Sequence, residues 1–323
     1  MINGKQREPS VCIVVLNYNG WEDTVECVNS LLKTKYTNYK IVIVDNDSED
    51  DSIHKISGYF RNKSLVIQMV ESYNGVERIS RPGKIIMIRA GKNGGYGYGN
   101  NVGIRFAMAN GADYVMILNN DTVVDPDFLN PLVNKCESDK NIGIVSGKVL
   151  YYNRPEYIWF IGGRFSQWTG KIIHYNMNEK DTNLIPSEKI NFISGCMWFI
   201  PVEVIREVGY INEEYFMYME DIDYCQRMLK GNYKLSVVKE SRIWHKAGDG
   251  DKSFSRFSVY WRSRNYIILL KRTEPCFFRR VLKVLLFNIF YSLRLIKYMK
   301  INRLPDQFRG MLNGILHGKQ KQT

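Results

Sequence analysis

Three features that would place a protein in a membrane or in an oxidising compartment are missing from this sequence. No stretch of about 18 consecutive apolar residues occurs, so we expect no transmembrane helix. Residues 1–9 are polar and lack an apolar core, so we expect no secretory signal peptide. The six cysteines show no C-x-x-C spacing, and most of them lie among apolar residues, which predicts small core side chains in a reducing compartment. A cytoplasmic location is therefore expected.

Acidic residues are scarce towards the C-terminus. The chain has 45 Lys and Arg residues against 33 Asp and Glu residues, a net charge of +12. Twelve of the basic residues but only two of the acidic ones lie in residues 271–323, so this tail carries +10 and the rest of the chain is nearly neutral. This uneven distribution favours an anionic partner for the tail, either lipid headgroups or nucleic acid.

Apolar strands alternate with helical patterns through the first half of the chain. We predict strands at residues 11–16, 41–44, 85–88 and 114–118, and helices at residues 21–32, 50–60, 100–109 and 127–136. This alternation predicts an α/β fold with a mostly parallel sheet flanked by helices. Residues 61–84, with a turn at Asn74-Gly75, are interpreted as an extra hairpin or surface insertion. After Val149 the pattern changes to short strands and aromatic residues, where an acceptor would bind.

Polar residues directly follow three of the predicted strands. They are Asn17-Tyr18-Asn19, residues 45–48 (Asp-Asn-Asp-Ser) and Asn119-Asn120-Asp121. In open α/β sheets, ligands bind beyond the carboxyl ends of the strands, so these segments are expected to converge. The carboxylate of Asp121 can hold a hard cation, which in turn binds phosphates. The alternative is a polar turn that caps the next helix.

A glycine-rich segment, residues 93–101, lies between the third and fourth predicted strands. Its glycines would let backbone amides approach a phosphate, and the helix predicted to start near Asn100 would add the positive end of its dipole. The segment is neither a Walker loop nor a G-x-G-x-x-G motif, so a flexible turn is the alternative.

Three carboxylates lie within four residues at Glu220, Asp221 and Asp223. They can be the acidic first turn of a helix, which stabilises its N-terminus. However, residues 215–219 are apolar or aromatic and indicate partial burial. Burial raises the pKa of a carboxyl group and suits a general base.

One of the four histidines, His245, follows the strand-like residues 241–244. Imidazole is a frequent ligand of divalent metals, so His245 is a candidate partner for an acidic metal site. The other three have no such context and are expected to be surface or structural residues: His54, His174 and His317.

Taken in order, these motifs resemble those of family 2 glycosyltransferases with the GT-A fold, over residues 11–272. The motifs are Val-Val-Leu-Asn-Tyr-Asn-Gly (14–20), Val-Asp-Asn-Asp-Ser (44–48), residues 93–103, Leu-Asn-Asn-Asp-Thr (118–122), Ser-Gly-Cys (194–196), Val-Gly-Tyr (208–210), residues 216–227 and Arg-Asn (264–265). The sequence is most similar to the rhamnosyltransferase-like branch, whose members use nucleotide-diphospho-sugars to build surface polysaccharides. The implied fold is a Rossmann-like, mostly parallel sheet with a C-terminal helical extension.

The resemblance implies a role for individual residues. Asp121 would end the metal-binding D-x-D motif, in which Asn119 replaces the first Asp, and would hold Mg²⁺ or Mn²⁺ together with His245. Asp221 would be the catalytic base, paired with Glu220. The acceptor would lie against Ser194, Gly195 and Asp223. The nucleotide-sugar donor would be bound by Asn17, Asn19, Asp45, Asp47, Asn93, Gly95, Asn100, Asn101, Asn119, Asn120 and Arg264, with Arg264 near the diphosphate.

The implied reaction is a single displacement that inverts the anomeric carbon and transfers the sugar to a glycan or a polyprenyl-linked acceptor. The implied organisation is an N-terminal tail (1–9), a GT-A catalytic domain (10–270) and a basic amphipathic helical extension (271–323). Within the catalytic domain, residues 10–125 would bind the nucleotide-sugar and residues 126–270 the acceptor.

The C-terminal extension has helical spacing at residues 276–300, with basic residues among the polar ones. Such a helix can lie in a membrane interface, so we expect peripheral contact with the cytoplasmic face of a membrane. The alternative is a helix packed on the catalytic domain or on a second copy, which would make a homodimer.

Two other functions fit parts of the sequence. A nucleotidyltransferase that makes a sugar nucleotide would need basic residues in the loop after the first strand, and residues 17–20 contain no Lys or Arg. A non-catalytic nucleic-acid-binding protein would explain the positive charge, but the neutral body with acidic strand ends argues against it. We therefore expect no nucleic-acid partner.

Overall fold

The predicted alternation of strands and helices is present in the computed structural model, which describes residues 7–71, 79, 83–185, 189–247 and 254–317. The turn predicted at Asn74-Gly75 lies outside the described residues. The same is true of residues 1–6 of the predicted tail and residues 318–323 of the extension.

The described residues form twelve strands and nine α-helices. The first half contains β1 (Val11–Asn17), α1 (Trp21–Leu31), β2 (Tyr39–Asp45), α2 (Ser52–Asn62), β3 (Ile67–Val70), β4 (Ile85–Arg89), α3 (Gly95–Ala109), β5 (Tyr114–Asn119), β6 (Thr122–Val124) and α4 (Leu129–Ser138). The second half contains β7 (Ile142–Tyr151), β8 (Ile158–Phe160), β9 (Gly163–Phe165), β10 (Ile172–His174), β11 (Met197–Pro201), α5 (Val202–Val208), α6 (Glu220–Lys230), β12 (Lys234–His245), α7 (Arg256–Thr273), α8 (Phe277–Lys297) and α9 (Leu304–Leu316).

Ten of the strands form one mixed sheet in the order β3-β4-β2-β1-β5-β11-β7-β12-β6, with β8 paired to β7. The strands from β3 to β5 in this order are parallel, whereas β11 is antiparallel to both of its neighbours. The central strands β1, β2, β4 and β5 are buried almost throughout, as expected for parallel strands that are covered on both faces. The prediction of a mostly parallel sheet flanked by helices is confirmed.

The hairpin predicted for residues 61–84 is wrong in its described part. β3 pairs in parallel with β4 and forms the edge of the sheet. The connection between the two strands spans residues 71–84, which is long enough for the chain to return and pair in parallel. A tight hairpin turn would have required antiparallel pairing.

Helix α3 begins at Gly95, five residues before its predicted start, so seven of the nine residues of the glycine-rich segment 93–101 are helical. Two of its glycines, Gly99 and Gly103, face the sheet. A Cβ atom at Gly99 would lie 2.3 Å from Leu16 Cδ1, and one at Gly103 would lie 2.4 Å from Val14 Cγ1. Because glycine has no Cβ, the helix backbone lies directly on β1, and this contact overrides the low helix propensity of glycine.

All six cysteines are free, and five of them are buried, which confirms their prediction as core side chains: Cys12, Cys27, Cys136, Cys196 and Cys225. Burial raises the pKa of the Cys12 thiol to about 12 and that of the Cys27 thiol to about 12, so these groups stay protonated and unreactive.

The C-terminal helices pack on one another and on the catalytic body. Gly310 and Gly314 of α9 lie against the backbone of α7, where a Cβ atom would come within 2.3 Å of Tyr260 O and 2.5 Å of Arg264 O, respectively. The buried Lys283 of α8 is paired with Glu274 at 2.7 Å. No described helix is long and apolar enough to cross a membrane. The predicted domain boundary at 271 falls in the last turn of α7, and the division into domains stays a prediction.

We expect Gly103→Ala to lower the free energy of unfolding by about 1–2 kcal/mol, because overpacking against Val14 outweighs the gain in helix propensity. Gly58→Ala in α2 is the matched control, since a Cβ atom there meets nothing within 4 Å. We expect this control to be as stable as the parent chain or more so. Chemical denaturation measures both, and a Gly103→Ala variant of undiminished stability would contradict the packing role of the α3 glycines.

Candidate active site

The three polar strand ends meet at one edge of the sheet. In the β1–β2 pair Asn17 lies opposite Asp45, and in the β1–β5 pair Leu16 lies opposite Asn119. The convergence that the sequence predicted is therefore confirmed.

Asn17 is fully buried and joins β1, β2 and α1. Its amide group donates to Asp45 Oδ2 at 2.8 Å and to Ser48 Oγ at 3.1 Å, and its Oδ1 accepts from Thr24 Oγ1 at 2.7 Å. Ser48 also donates to both carboxylate oxygens of Asp45. Asn17 therefore fixes the orientation of Asp45.

A cavity of about 440 Å³ opens beside Asp45. Half of its lining residues are acidic and one is an arginine: Asp45, Asp47, Ser48, Asp50, Asp51, Ile53, His54, Glu71, Arg89 and Gly91. Carboxylates accept hydrogen bonds from hydroxyl and N–H groups, which a nucleoside offers. The sequence reasoning missed Arg89 and His54 as lining residues. Arg89 ends β4 opposite Asp45, so the strand-end argument could have found it.

Two further asparagines hold the loops around this cavity. Asn19 Oδ1 accepts from the backbone amides of Glu49 at 2.9 Å and Asp50 at 3.3 Å. Asn93 Oδ1 accepts from Asn46 Nδ2 at 3.0 Å. Asn46 lies in the polar segment 45–48 but was not among the residues predicted to bind the donor. These side chains shape the edge of the sheet through the loops that they fix.

Asp121 and His245 lie together because β6 pairs with β12. The ladder places His245 opposite Thr122, and His245 Nε2 lies 3.2 Å from Asp121 Oδ1. The Trp159 ring packs edge-on against the imidazole at 4.3 Å between centroids. The Asn120 side chain does not join the Asp121–His245 pair and instead donates to Gly20 O at 3.2 Å.

The Asp121–His245 pair fits a divalent cation. Neighbouring ligands of an octahedral ion with bonds of about 2.1 Å lie about 3 Å apart, close to the observed separation. Among the described residues, the buried His245 Nδ1 has no hydrogen-bond partner and the buried Asp121 Oδ1 has none other than its 3.2 Å contact with His245 Nε2, so a cation at Asp121 Oδ1 would add a partner for that oxygen. The described residues contain no group of three or more metal-ligating His, Cys, Asp or Glu side chains. The other ligands would therefore have to come from a bound molecule and water.

The turn before α6 holds an unusual backbone conformation. Phe216, Tyr218 and Met219 all have positive φ angles, of 59°, 68° and 73°. Each such non-glycine residue costs about 1–3 kcal/mol and persists only where the surrounding structure imposes it. The turn leads directly into Glu220 and Asp221, the first two residues of α6.

Two helices impose this conformation. The Asn265 amide of α7 donates to three carbonyls of the turn, those of Tyr215 at 2.6 Å, Met217 at 2.8 Å and Tyr218 at 2.9 Å. At the start of α3, the Tyr96 amide donates to Phe216 O at 2.7 Å. Gly95 has a φ of +85°, and a Cβ atom there would lie 2.1 Å from the same oxygen, so no other residue fits.

Burial raises the pKa of both Glu220 and Asp221. Glu220 is buried, its Oε2 has no partner among the described residues, and burial together with the nearby charge of Asp221 holds its pKa well above the ordinary value. Burial raises the pKa of the half-buried Asp221 to about 6, and the Ile222 amide and the Arg262 charge limit this rise. Raised pKa values of this kind suit carboxyl groups that exchange protons with a ligand.

Ser194 and Gly195, which were predicted to contact the acceptor, precede β11, beside Asp221. The Gly195 amide contributes to stabilising the Asp221 carboxylate. The Gly195 carbonyl accepts from the Tyr96 hydroxyl of α3. Next along the chain, the Cys196 carbonyl accepts from the Asn119 amide at 3.0 Å. These contacts connect the end of β5 to the carboxylate pair.

The polar groups of four other predicted residues make hydrogen bonds inside the fold, in two cases to a residue one turn away on the same helix and in two cases to another part of the chain. Asp223 accepts from Arg227 Nε at 2.8 Å, Asn100 donates to Tyr96 O at 2.9 Å, Asn101 donates to Ile211 O at 2.8 Å, and Arg264 donates to Glu214 O at 3.0 Å.

The cation beside the two acids is Arg262, which the sequence reasoning missed. Its guanidinium lies 4.6 Å from the centroid of the Tyr218 ring. Arg262 and Asn265 are three residues apart on one face of α7, which is a helix-spacing signal that could have found it.

The comparisons with known proteins agree with this geometry. Low-salt glycan biosynthesis hexosyltransferase Agl10 of Haloferax volcanii is 25% identical over 304 residues, covering 90% of this chain and 94% of that protein. The dTDP-rhamnosyl transferase RfbF of Shigella flexneri is 22% identical over 297 residues, covering 86% of this chain and 98% of that protein.

The crystal structure of GalNAc-T7 with UDP, GalNAc and Mn²⁺ matches with a TM-score of 0.61 at 17% identity. The match covers 82% of this chain, which spans about half (48%) of that one. This similarity confirms the GT-A fold prediction.

The family model described as Glycosyl transferase family 2 matches residues 10–209. The nucleotidyltransferase and nucleic-acid-binding alternatives find no support among these matches. Since the match covers more than half of the chain, and since the strand-end motifs that suggested the family lie within it, the chain belongs to glycosyl transferase family 2.

Proposed function

We propose that this glycosyltransferase moves a hexose from a nucleotide-diphospho-sugar to an acceptor hydroxyl with inversion. The observation that carries the proposal is the half-buried Asp221 carboxylate with a pKa of about 6, connected through residues 195–196 to the end of β5. The β5 end leads into Asp121 and its neighbour His245. The relatives include a hexosyltransferase and a rhamnosyltransferase, so rhamnose is the first donor sugar to test, and surface polysaccharide is the proposed product.

In the proposed reaction, Asp45 and Asp47 accept hydrogen bonds from the nucleoside in the acidic cavity. Asp121 and His245 would hold Mg²⁺ or Mn²⁺, which when bound neutralises charge on the leaving diphosphate. Asp221 takes the proton of the acceptor hydroxyl as its oxygen bonds to the anomeric carbon from the face opposite the diphosphate. The bond from that carbon to the diphosphate breaks, so the centre is inverted.

We also propose that α8 lies on the cytoplasmic face of a membrane and brings the enzyme to a polyprenyl-linked acceptor. Its outer face is apolar and exposed, with Phe278 82% exposed and Leu285 and Ile289 each 55% exposed. Arg280, Arg294 and other basic residues of the helix accompany this face. Exposed apolar residues with flanking cations are typical of helices in an anionic membrane interface.

Asp221→Asn is expected to reduce the transfer rate by about 10²–10⁴-fold, because the general base is lost. Nucleotide binding, measured by calorimetry, should be retained. Glu220→Gln is expected to lose much less, since burial and the Asp221 charge raise the pKa of Glu220 and so disfavour its ionised form. Glu203→Gln, an exposed carboxylate of α5, is the control. Full turnover by Asp221→Asn would exclude Asp221 as the base.

Asp221 also determines the expected pH dependence of the transfer reaction. The base must be ionised, so kcat/KM should fall as pH drops through about 6. The folded-state pKa exceeds the ordinary value of 3.8, so ionising Asp221 destabilises the fold as pH rises between these two values. Asp221→Asn should therefore have a higher Tm than the parent chain at pH 8, and an equal or lower Tm would contradict the proposed electrostatics.

Asp121→Ala and His245→Ala are each expected to weaken binding of UDP or dTDP in the presence of Mn²⁺. Affinity without divalent cations should change little, because the nucleoside cavity is intact. Calorimetry with and without EDTA measures the nucleotide affinity under both conditions. Asp125→Asn, four residues beyond Asp121, is the matched control. An Asp121→Ala variant whose nucleotide binding keeps its full response to Mn²⁺ would place the cation elsewhere.

The full chain is expected to float with vesicles that contain anionic lipid and to bind neutral vesicles less. Replacing Phe278, Leu285 and Ile289 together by Asp should abolish flotation, whereas Val66→Asp, at an exposed apolar residue remote from α8 in sequence, should not. Failure to bind anionic vesicles, together with a dimer that the triple substitution dissociates, would instead identify this face as a homodimer interface.

A further inference from the structure

A second cavity, of about 670 Å³, lies between α8 and the segment that leads into β10. Four basic residues line it, and no acidic residue does so among those described: Lys171, Arg262, Arg294 and Lys297. This charge is opposite to that of the cavity beside Asp45. A cavity of this kind suits a ligand with a doubly or multiply charged anionic group.

The cavity opens next to the catalytic acids. Met219, the last residue of the strained turn, lines it and is followed directly by Glu220 and Asp221. The charge of Arg262, another lining residue, acts on both of these carboxyl groups. A ligand held here would therefore present its nearest end to the proposed base.

Two buried polar atoms at this cavity have no hydrogen-bond partner within the part of the chain that the structure describes. They are Arg262 Nε and the hydroxyl oxygen of Tyr291, a residue that is only 7% exposed. Burial raises the pKa of Tyr291, and the charges of Arg262 and Arg294 both act to lower it, so both cations lie near this hydroxyl. Buried donors without partners are rare, and a bound anion would satisfy them.

The rest of the lining is apolar and leads outwards. Phe287 is buried, whereas Phe290 and Leu293 are 50% and 56% exposed on α8. These two residues continue into the exposed apolar face of α8 that we place on the membrane. The cavity thus has a cationic part beside the catalytic acids and an apolar part that opens towards lipid.

We propose that this cavity binds the headgroup of a lipid-linked acceptor, with its phosphate or diphosphate against Arg262, Arg294, Lys297 and the Tyr291 hydroxyl. The lipid chain would follow Phe290 and Leu293 along α8, and the sugar next to the phosphate would reach Asp221. This inference rests on the proposed transfer reaction and assigns a site to its acceptor. The donor diphosphate belongs to a different place, the Asp121–His245 pair.

The test uses the full chain and farnesyl diphosphate as the probe, in EDTA so that the cation-dependent donor site is silent. Calorimetry should show tighter binding of farnesyl diphosphate than of inorganic diphosphate or farnesol, because both parts of the cavity contribute. Arg294→Glu should weaken this binding by about tenfold or more. Arg280→Glu, on the same helix but outside the cavity lining, is the matched control and should change it little. Lys297→Glu serves as a second test variant if Arg294→Glu lowers the Tm.

Three outcomes would overturn the proposal: displacement of the probe by UDP or dTDP, equal weakening by Arg294→Glu and Arg280→Glu, or no binding stronger than that of inorganic diphosphate. Nucleotide binding and donor hydrolysis by the same proteins separate this result from the proposed function. A chain that hydrolyses the donor but ignores farnesyl diphosphate refutes only the acceptor site. A chain that binds the probe through Arg294 but never turns over a nucleotide-sugar refutes the transfer reaction.

Discussion

The hydrogen bonds from Asn265 to three carbonyls of one turn are the contacts on which the catalytic arrangement depends. The turn contains three non-glycine residues with positive φ, a conformation that the local sequence does not favour. Asn265 on α7 and Gly95 on α3, which are far apart in the sequence, together impose this conformation. The turn leads directly into Glu220 and Asp221, the first two residues of α6, so its conformation sets where these two side chains begin. The packing of α3 and α7 against this turn therefore holds the two acids in place.

Burial makes these two acids unequal. Glu220 is deeper, and burial together with the charge of Asp221 holds its pKa well above the ordinary value. Burial raises the pKa of Asp221 to about 6, a value that suits the proposed general base. Arg262 limits the rise of both pKa values and also lines the cationic cavity. A ligand in that cavity would therefore change the pKa of Asp221 through Arg262.

Much of the donor side could be predicted from the sequence, because it depends on local patterns. Apolar runs that end in Asn17, Asp45 and Asn119 identify parallel strands, and parallel strands place these ends together. Asp121 and His245 were found through the chemistry of their side chains, although only the β6–β12 pairing shows that they touch. In contrast, Arg262 and Asn265 make contacts with residues more than 40 positions earlier, so their spacing places them on one face of α7 but does not show what that face touches. The α3 glycines were misread for the same reason, since β1 decides their conformation.

The two cavities carry opposite charges and would therefore favour different ligands. A nucleotide diphosphate brought to the acidic edge is repelled there unless a cation accompanies it, so metal binding and donor binding should depend on each other. The second cavity carries its own cations on side chains and needs no metal to hold a phosphate. An enzyme that handles two diphosphate-bearing substrates must keep each out of the other's site. In the proposed arrangement the opposite charges of the two cavities contribute to this, because the acidic edge repels a lipid phosphate that carries no metal.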